Sequence, residues 1–255
     1  MTGRLDGRTA LVTGATSNIG RAIATAFAAE GAHVVVTGRD EVRGADVVGE
    51  IRAAGGRADF VVADLDGSPR ASRDLAATAT DLLGGRIDVL VNSAGIFPGP
   101  STAATDEATF DRVYAVNVKA PFFLTAAIAP AMADRGSGAI INLGSWIARL
   151  GIPIASLYSS TKGAVETLTR AWAAEYGPSG VRVNAISPGV VRTRAVGDGE
   201  DPAEAMMRGT PHGGSGRPAA IAQAAVYLAS DDASFVHGTV LDVDGGRLAV
   251  AVVDG

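Results

Sequence analysis

The chain has 255 residues, of which 47% are hydrophobic and 19% are charged, and its formal net charge is −5. This composition is typical of a soluble globular protein with a large core, and the lack of a basic run argues against a nucleic-acid partner. Because the chain has no cysteine, thiol catalysis, disulfides and cysteine-based metal sites are excluded, and its three scattered histidines predict no metal site.

The sequence also shows no export or membrane signal. The residues from Met1 to Arg8 contain no apolar core of the kind that a signal peptide needs. The longest charge-free apolar run, from Ala120 to Ala133, is interrupted by Pro121 and Pro130 and is shorter than the roughly 18 residues that a membrane span needs. We therefore expect a cytoplasmic protein with no membrane partner.

Short apolar, β-branched runs alternate with helical segments along the whole chain. This alternation predicts an α/β fold with a Rossmann-type doubly wound parallel β-sheet, built as a single domain over residues 1–255. The predicted strands are Thr9–Thr13, His33–Thr37, Phe60–Ala63, Ile87–Val91, Ala139–Leu143, Val181–Ile186 and Gly238–Val243. The predicted helices include Arg21–Glu30, Glu41–Ala54, Ser68–Leu83, Asp106–Ala133 with a kink at Pro121, and Arg217–Ser230.

A glycine-containing loop follows the first predicted strand and leads into a helix. It runs from Gly14 to Gly20 as Gly-Ala-Thr-Ser-Asn-Ile-Gly. Strand, glycine turn and helix together form the phosphate-binding arrangement of a dinucleotide fold. The usual G-x-G-x-x-G spacing is absent, since the loop has Gly14, Asn18 and Gly20 instead, and asparagine tolerates left-handed backbone better than most residues. The loop is therefore predicted to bind a pyrophosphate.

The end of the second predicted strand bears on the choice of cofactor. In dinucleotide folds an acidic residue at this place binds the ribose 2′-hydroxyl of NAD, whereas a nearby arginine accommodates the 2′-phosphate of NADP. Here Gly38 and Arg39 occupy the place, which favours NADP(H). Asp40 follows, and a register shift of two residues would favour NAD(H) instead.

Tyr158 and Lys162 lie four residues apart, which places them on one face of a helix. A cation near a phenol favours the phenolate and would let Tyr158 exchange a proton with a substrate oxygen near neutral pH. The chain has twenty arginines but only two lysines, Lys119 and Lys162, so this pair is unlikely by composition. The plainer interpretation is an ordinary helix with a solvated lysine.

In this order, the motifs resemble those of the short-chain dehydrogenase/reductase family over roughly Leu5 to Gly246. The resemblance rests on the glycine loop, on Asn92-Ser93-Ala94-Gly95 after the fourth strand, on Asn117 in a long helix, on Ser145 thirteen residues before Tyr158, and on Pro188-Gly189 after the sixth strand. It implies reversible hydride transfer between a nicotinamide cofactor and a carbonyl or secondary alcohol, of ketone or 3-oxoacyl type, in a homotetramer.

The resemblance also implies roles for individual residues. Tyr158 would transfer the proton, Ser145 would hydrogen-bond the substrate oxygen, Lys162 would favour the phenolate and bind the cofactor ribose, and Asn117 would hold a relay water. Asp64 would contact the adenine. The implied cofactor-binding residues are Gly14, Thr16, Ser17, Asn18, Ile19, Gly20, Arg39, Asp64, Leu65, Asn92, Ala94, Gly95, Tyr158, Lys162, Pro188, Gly189, Val191 and Thr193.

The substrate end of the site is less sharply specified. Residues 192–216 are rich in glycine, proline and charge, and are predicted to form a substrate lid or an ordinary surface loop. Arg149 and Arg194 are the cations that could reach an anionic group, and the tail Leu248–Val253 is expected to be buried, in one reading against another subunit. The expected apolar wall consists of Ile96, Phe97, Trp146, Ile147, Ile152, Val190 and Met206.

Two other function classes share part of this pattern. A non-catalytic NADP(H)-binding regulator or scaffold would need the glycine loop and Arg39 but not Asn117, Ser145, Tyr158 and Lys162 together. A sugar-nucleotide epimerase or dehydratase would use a similar Tyr-Lys pair but usually carries a longer C-terminal substrate region. The presence of all four residues favours the oxidoreductase.

Overall fold

The computed structural model describes residues 3–99, 101–192 and 202–251. The strands in these ranges are β1 (Thr9–Val12), β2 (His33–Gly38), β3 (Arg57–Val62), β4 (Val89–Asn92), β5 (Gly138–Leu143), β6 (Val181–Pro188) and β7 (Val240–Val243). They form one parallel sheet in the order β3-β2-β1-β4-β5-β6-β7. The order reverses between β1 and β4, and ligands of such sheets bind at the carboxyl ends of the strands beside the reversal.

Helices cover both faces of this sheet. They are α1 (Asn18–Ala29), α2 (Glu41–Ala53), α3 (Pro69–Leu82), α4 (Glu107–Tyr114), α5 (Ala120–Asp134), α6 (Ser156–Tyr176), α7 (Pro202–Ala205) and α8 (Pro218–Ala229). The predicted Rossmann-type doubly wound parallel sheet is confirmed. The bounds differ by a few residues, since α1 begins at Asn18 rather than Arg21 and β3 begins at Arg57 rather than Phe60.

Each face of the sheet has its own apolar core. On β5, Ile141 belongs to the core under α1, α2 and α8, whereas its neighbour Ile140 belongs to the core under α3, α5 and α6. Both side chains are fully buried, as is usual for strands of a parallel sheet covered on both faces. Polar groups are therefore concentrated where the strands end.

The long helix predicted from Asp106 to Ala133 is irregular just before the proline. A π-helical turn, Ala115–Lys119, joins α4 to α5. Pro121 follows this turn by two residues, and the predicted kink at Pro121 stays a prediction. The π turn carries Asn117, and such turns frequently mark functional sites.

The same helix, from Glu107 to Asp134, is long and apolar enough to span a membrane by length and composition alone. Half of its most apolar window is buried inside the fold, where α5 packs on the apolar core beneath the sheet. Its apolar composition is therefore explained by its place as a core helix.

The C-terminal tail is only partly covered in the single chain. Leu248 packs on the cluster around Trp146, whereas Val250 is 43% exposed. Residues 252–255 lie outside the described residues. The expected burial of the tail thus holds for Leu248 and fails for Val250 within one chain.

Buried amide and hydroxyl side chains link β4, β5 and α6. Asn92 Nδ2 donates to Asn142 Oδ1 at 2.9 Å, and Asn142 Nδ2 donates to Thr169 Oγ1 at 2.9 Å. All three side chains are nearly or fully buried. Asn142 therefore stands at the centre of a polar chain that joins two strands to the helix of the Tyr-Lys pair.

We expect Asn142→Ala to lower the free energy of unfolding by about 2–3 kcal/mol, because it leaves the amide of Asn92 and the hydroxyl of Thr169 buried without this partner. Urea denaturation measures the change. Thr78→Ala, which removes an exposed hydroxyl on α3, is the control and should cost much less. A stability of Asn142→Ala within 0.5 kcal/mol of the wild type would contradict this account.

Candidate active site

A cleft of about 770 Å³ opens at the carboxyl ends of β1, β2, β4, β5 and β6. It brings together most of the residues predicted to bind a cofactor, although they come from distant parts of the chain. Those that line it are Gly14, Thr16, Ser17, Asn18, Ile19, Gly20, Arg39, Asp64, Leu65, Ala94, Gly95, Tyr158, Lys162, Pro188, Gly189 and Val191.

Two of the predicted residues stand apart from this set. Asn92 does not line the cleft, because its amide turns into the sheet toward Asn142. A cofactor contact by the Asn92 side chain is therefore not supported, and its role is to join β4 to β5. Thr193 and Arg194 lie outside the described residues, so the predictions for them stay predictions.

In the glycine loop, neighbouring backbone lies so close to Gly14 and Gly20 that a side chain would not fit at either position. Gly14 has a φ of +63°, and a Cβ there would lie 2.7 Å from Ala94 Cα. A Cβ on Gly20 would lie 2.3 Å from Gly14 O. Asn18 takes a φ of +49° at the start of α1, so asparagine does adopt the left-handed position.

At Gly38, where β2 ends, the neighbouring side chain leaves no room for an acidic residue. A Cβ on Gly38 would lie 2.6 Å from Thr16 Cγ2, so a carboxylate cannot occupy this place without displacing Thr16. Asp40 caps α2, accepting from Arg43 N at 3.0 Å and from Arg43 Nε at 2.7 Å. The alternative register, with Asp40 at the strand end, is thereby excluded.

Two arginines of the cleft were missed in the sequence. Arg43 lies on the first turn of α2, four residues after Arg39, and both line the cleft. Arg112 of α4 also lines it and reaches Asp64 Oδ1 at 2.8 Å. The four-residue spacing of Arg39 and Arg43 could have indicated from the sequence that Arg43 accompanies Arg39. No such spacing connects Arg112 with Asp64, which are distant in the sequence.

Ser145, Tyr158 and Lys162 meet just beyond β5. The hydroxyl of Ser145 lies near enough to that of Tyr158 to lower the pKa of the phenol. Lys162 Nζ donates to the carbonyl oxygen of Leu143 at 2.7 Å and lies 5.4 Å from the centre of the Tyr158 ring. The three predicted groups therefore form one cluster at the floor of the cleft.

Burial controls the protonation of this cluster. It raises the pKa of Tyr158 to about 12, although the nearby Ser145 hydroxyl acts in the opposite direction. It lowers the pKa of Lys162 to about 8. Burial therefore opposes the phenolate form of Tyr158, and the role of Lys162 in favouring that form stays a prediction. Tyr158 is protonated at neutral pH.

Asn117 supports the cluster through the chain that follows β4. Its Oδ1 accepts from Ile96 N at 2.9 Å, and its Nδ2 donates to Ile96 O at 3.0 Å and to Thr161 Oγ1 at 3.2 Å. A Cβ added to Gly95 would lie 3.5 Å from Asn117 Oδ1 and 3.7 Å from Lys162 Nζ. Both amide hydrogens of Asn117 are therefore engaged within the protein, and its predicted role in holding a relay water stays a prediction.

Apolar side chains surround Tyr158 on the substrate side. Phe97, which is 55% exposed, contacts the Tyr158 ring edge-on at 4.7 Å between ring centres. Ile96 lines the cleft as well. The remaining predicted members of the wall pack together around Tyr158, namely Trp146, Ile147, Ile152, Val190 and Met206.

Arg149, which could reach an anionic group by its place in the sequence, is already paired with two carboxylates. Its Nη1 donates to Asp242 Oδ2 at 3.1 Å, and its Nη2 donates to Asp242 Oδ1. Its Nε lies 3.4 Å from Glu166 Oε2. These two carboxylates form ion pairs with the guanidinium of Arg149. The substrate wall is apolar near Tyr158.

The segment predicted as a lid is described only at Arg192 and from residue 202 onward. Glu204 connects the two flanks, accepting from Arg192 Nη2 at 2.9 Å and from Ser215 Oγ at 2.6 Å.

Among the described residues, no three histidine, aspartate or glutamate side chains are grouped so that they could hold a metal ion.

The fold, the glycine loop and the Ser145–Tyr158–Lys162 cluster define a nicotinamide-dependent oxidoreductase. A family model described as Enoyl-(Acyl carrier protein) reductase matches residues 14–247. The chain is 43% identical over 251 residues to galactitol 2-dehydrogenase (L-tagatose-forming) of Cereibacter sphaeroides, covering 95% of this chain and 96% of that protein.

Solved structures agree with these matches. A short chain dehydrogenase/reductase family protein is 47% identical, with a TM-score of 0.87 and coverage of 97% of this chain and 100% of that one. A blue fluorescent protein from a metagenomic library, in complex with NADPH, is 34% identical, with a TM-score of 0.89 and coverage of 96% and 100%. The chain belongs to the short-chain dehydrogenase/reductase family and is an NAD(P)-dependent oxidoreductase of alcohol and ketone substrates.

The depressed pKa of Lys162 predicts how stability changes with pH. The pKa is about 8 in the folded chain and about 10.4 in an unfolded one. Between these values the unfolded chain binds more protons, so the stability of the wild type rises with pH. Relative to Lys162→Met, we expect the free energy of unfolding to increase by about 2 kcal/mol from pH 7 to pH 10.

Urea denaturation at both pH values measures this difference. Lys119→Met is the matched control, because Lys119 is exposed and its removal should leave the pH dependence unchanged. If Lys162→Met followed the wild type in parallel from pH 7 to pH 10, the assignment of a depressed pKa to Lys162 would be wrong.

Proposed function

We propose that this enzyme interconverts apolar ketones, including 3-oxoacyl compounds, and secondary alcohols with NADP(H) as preferred cofactor. The observation that carries the proposal is that Ser145, Tyr158 and Lys162 lie together in the cleft that also contains the glycine loop. A substrate oxygen placed between the two hydroxyls would lie against the apolar wall that includes Phe97.

The chain's own groups supply the proton and the positioning. Tyr158, protonated at neutral pH, acts as general acid toward a carbonyl oxygen and as general base in the reverse direction. Ser145 hydrogen-bonds the same oxygen and stabilises the charge that develops on it. Lys162 binds the ribose beside Gly95, and Asn117 fixes Ile96 and keeps this side of the cleft in place. When bound, the cofactor supplies the hydride.

The cleft residues fit a dinucleotide with a 2′-phosphate. The close approach at Gly14 and Gly20 leaves backbone free to meet a pyrophosphate at the start of α1. At the ribose corner, Gly38 leaves no room for a carboxylate, and Arg39 and Arg43 offer two cations. Arg43 shares its Nε with Asp40, but two guanidinium groups with a glycine at the strand end favour NADP(H) over NAD(H).

We also propose a cytoplasmic homotetramer in which residues 192–216 act as a substrate lid. Exposed Phe110, Phe122 and Phe235 support association, since large aromatic side chains are usually covered in the working form of a protein. Met206 supports the lid, because it packs on the apolar cluster beside Tyr158.

Tyr158→Phe tests the proposed acid. We expect kcat for ketone reduction to fall about 10³-fold, because the proton donor is lost, while the dissociation constant of NADPH changes less than about twofold, since the ring is kept. Steady-state kinetics and fluorescence titration measure the two quantities. Tyr227→Phe on α8 is the control. A Tyr158→Phe enzyme with near-wild-type turnover would remove the basis of the proposal.

Arg39→Ala and Arg43→Ala test the cofactor preference. Each should weaken NADPH about 10–100-fold through the loss of charge-assisted hydrogen bonds, with little change for NADH. Titration of both cofactors against each variant gives the comparison. Arg57→Ala, at the exposed start of β3, is the control. Equal losses of affinity for NADPH and NADH would show that these arginines do not bind the 2′-phosphate.

A further inference from the structure

A carboxylate outside the proposed mechanism is buried close to it. Glu166 lies on α6, one helical turn beyond Lys162, and is only 4% exposed. Its Oε2 lies 3.4 Å from Arg149 Nε. Its Oε1 has no hydrogen-bond partner within the described parts of the chain. A buried carboxylate oxygen without a partner is costly, so its retention calls for a physical reason.

Arg149, the partner of Glu166, closes the turn that begins at Ser145. The backbone amide of Arg149 donates to Trp146 O at 3.1 Å, and Ser145 Oγ accepts from Ile147 N at 3.5 Å. The guanidinium of Arg149 binds Asp242 on β7 as well as Glu166 on α6. One side chain thus ties the turn after Ser145 to a strand and to a helix.

Glu166 also lies beside Gly144, the residue that precedes Ser145. A Cβ on Gly144 would lie 3.2 Å from Glu166 Oε1 and 3.4 Å from Ile186 O. Gly144 N donates to Ile186 O at 2.8 Å, which fixes the backbone there. The carboxylate therefore lies against the chain before Ser145 and, through Arg149, holds the chain after it.

We propose that Glu166 and Arg149 are positioning residues that hold the Ser145 hydroxyl beside Tyr158 in the cleft. This inference rests on the proposed roles of Ser145 and Tyr158 and adds two residues to them. The charged groups that face Glu166 are Arg149 from the turn, Asp242 from β7 and Arg170 from its own helix. If the charge of the Glu166 carboxylate is removed, Arg149 stays bound to Asp242 alone. The turn after Ser145 is then held less firmly and can move toward β7.

Fluorine NMR of protein labelled with 3-fluorotyrosine tests this inference without turnover. The chain has four tyrosines, and Tyr158→Phe identifies the signal of Tyr158. Ser145→Ala should shift that signal, because the hydroxyl beside Tyr158 is lost. Glu166→Gln should shift it in the same direction by at least half as much. Arg149→Met, which frees the turn from both carboxylates, should shift it at least as far as Glu166→Gln.

The double variant separates a positioning role from a general loss of structure. If Glu166 acts through Ser145, adding Glu166→Gln to Ser145→Ala should move the Tyr158 signal no further. Glu175→Gln, an exposed change of the same chemistry on α6, should leave it in place. An unmoved signal in both Glu166→Gln and Arg149→Met, or equal and additive shifts in the double variant, would overturn the inference.

Kinetics give a second readout. In Glu166→Gln we expect kcat for ketone reduction to fall about 10-fold, as for a slightly misplaced catalytic group, with KM for NADPH and the melting temperature nearly unchanged. A rise in KM for NADPH at constant kcat would contradict a role at Ser145. If the wild type reduced no ketone, the proposed function would fail, whereas the NMR shifts would still decide whether Glu166 positions Ser145.

Discussion

The register of α6 on β5 is the constraint on which the site depends. Lys162 Nζ donates to the main chain of β5 at Leu143 at a distance of 2.7 Å. Two turns further along the helix, Thr169 accepts from the side chain of Asn142 on the same strand at 2.9 Å. Ser145 follows β5 directly, and Tyr158 lies one turn before Lys162. The two contacts that hold the helix on the strand therefore also bring the two hydroxyls together.

Burial gives this cluster its protonation states. A phenol removed from water keeps its proton, and a buried ammonium group holds its proton less firmly than usual. With the pKa of Tyr158 at about 12 and that of Lys162 at about 8, the cluster presents a neutral acid beside a cation at neutral pH. This state suits donation of a proton to a carbonyl oxygen, and the nearby Ser145 hydroxyl acts against burial by lowering the pKa of the phenol.

The parts of this picture that depend on local sequence could be predicted. Alternating strands and helices determined the sheet, and the short-range pattern around Asn18 and the Tyr158–Lys162 spacing located the loop and the acid. Contacts between distant segments could not be read in this way. Asn92 follows a strand at the expected place, yet its side chain faces the sheet. Arg149 is near the site in sequence, but its direction is set by Asp242 on β7 and by Glu166 on α6.

Transfer of deuterium from the cofactor to a product is the most direct test of the central claim, that this cleft passes hydride to a carbonyl carbon. Wild-type enzyme would be incubated with NADPH deuterated at C4 of the nicotinamide, in each of its two stereoisomers, and with an apolar ketone such as cyclohexanone; NADH would be run in parallel. We predict an alcohol that carries deuterium on its carbinol carbon from one stereoisomer and not the other. Cofactor binding without labelled alcohol, across a panel of ketones and 3-oxoacyl esters, would contradict the account.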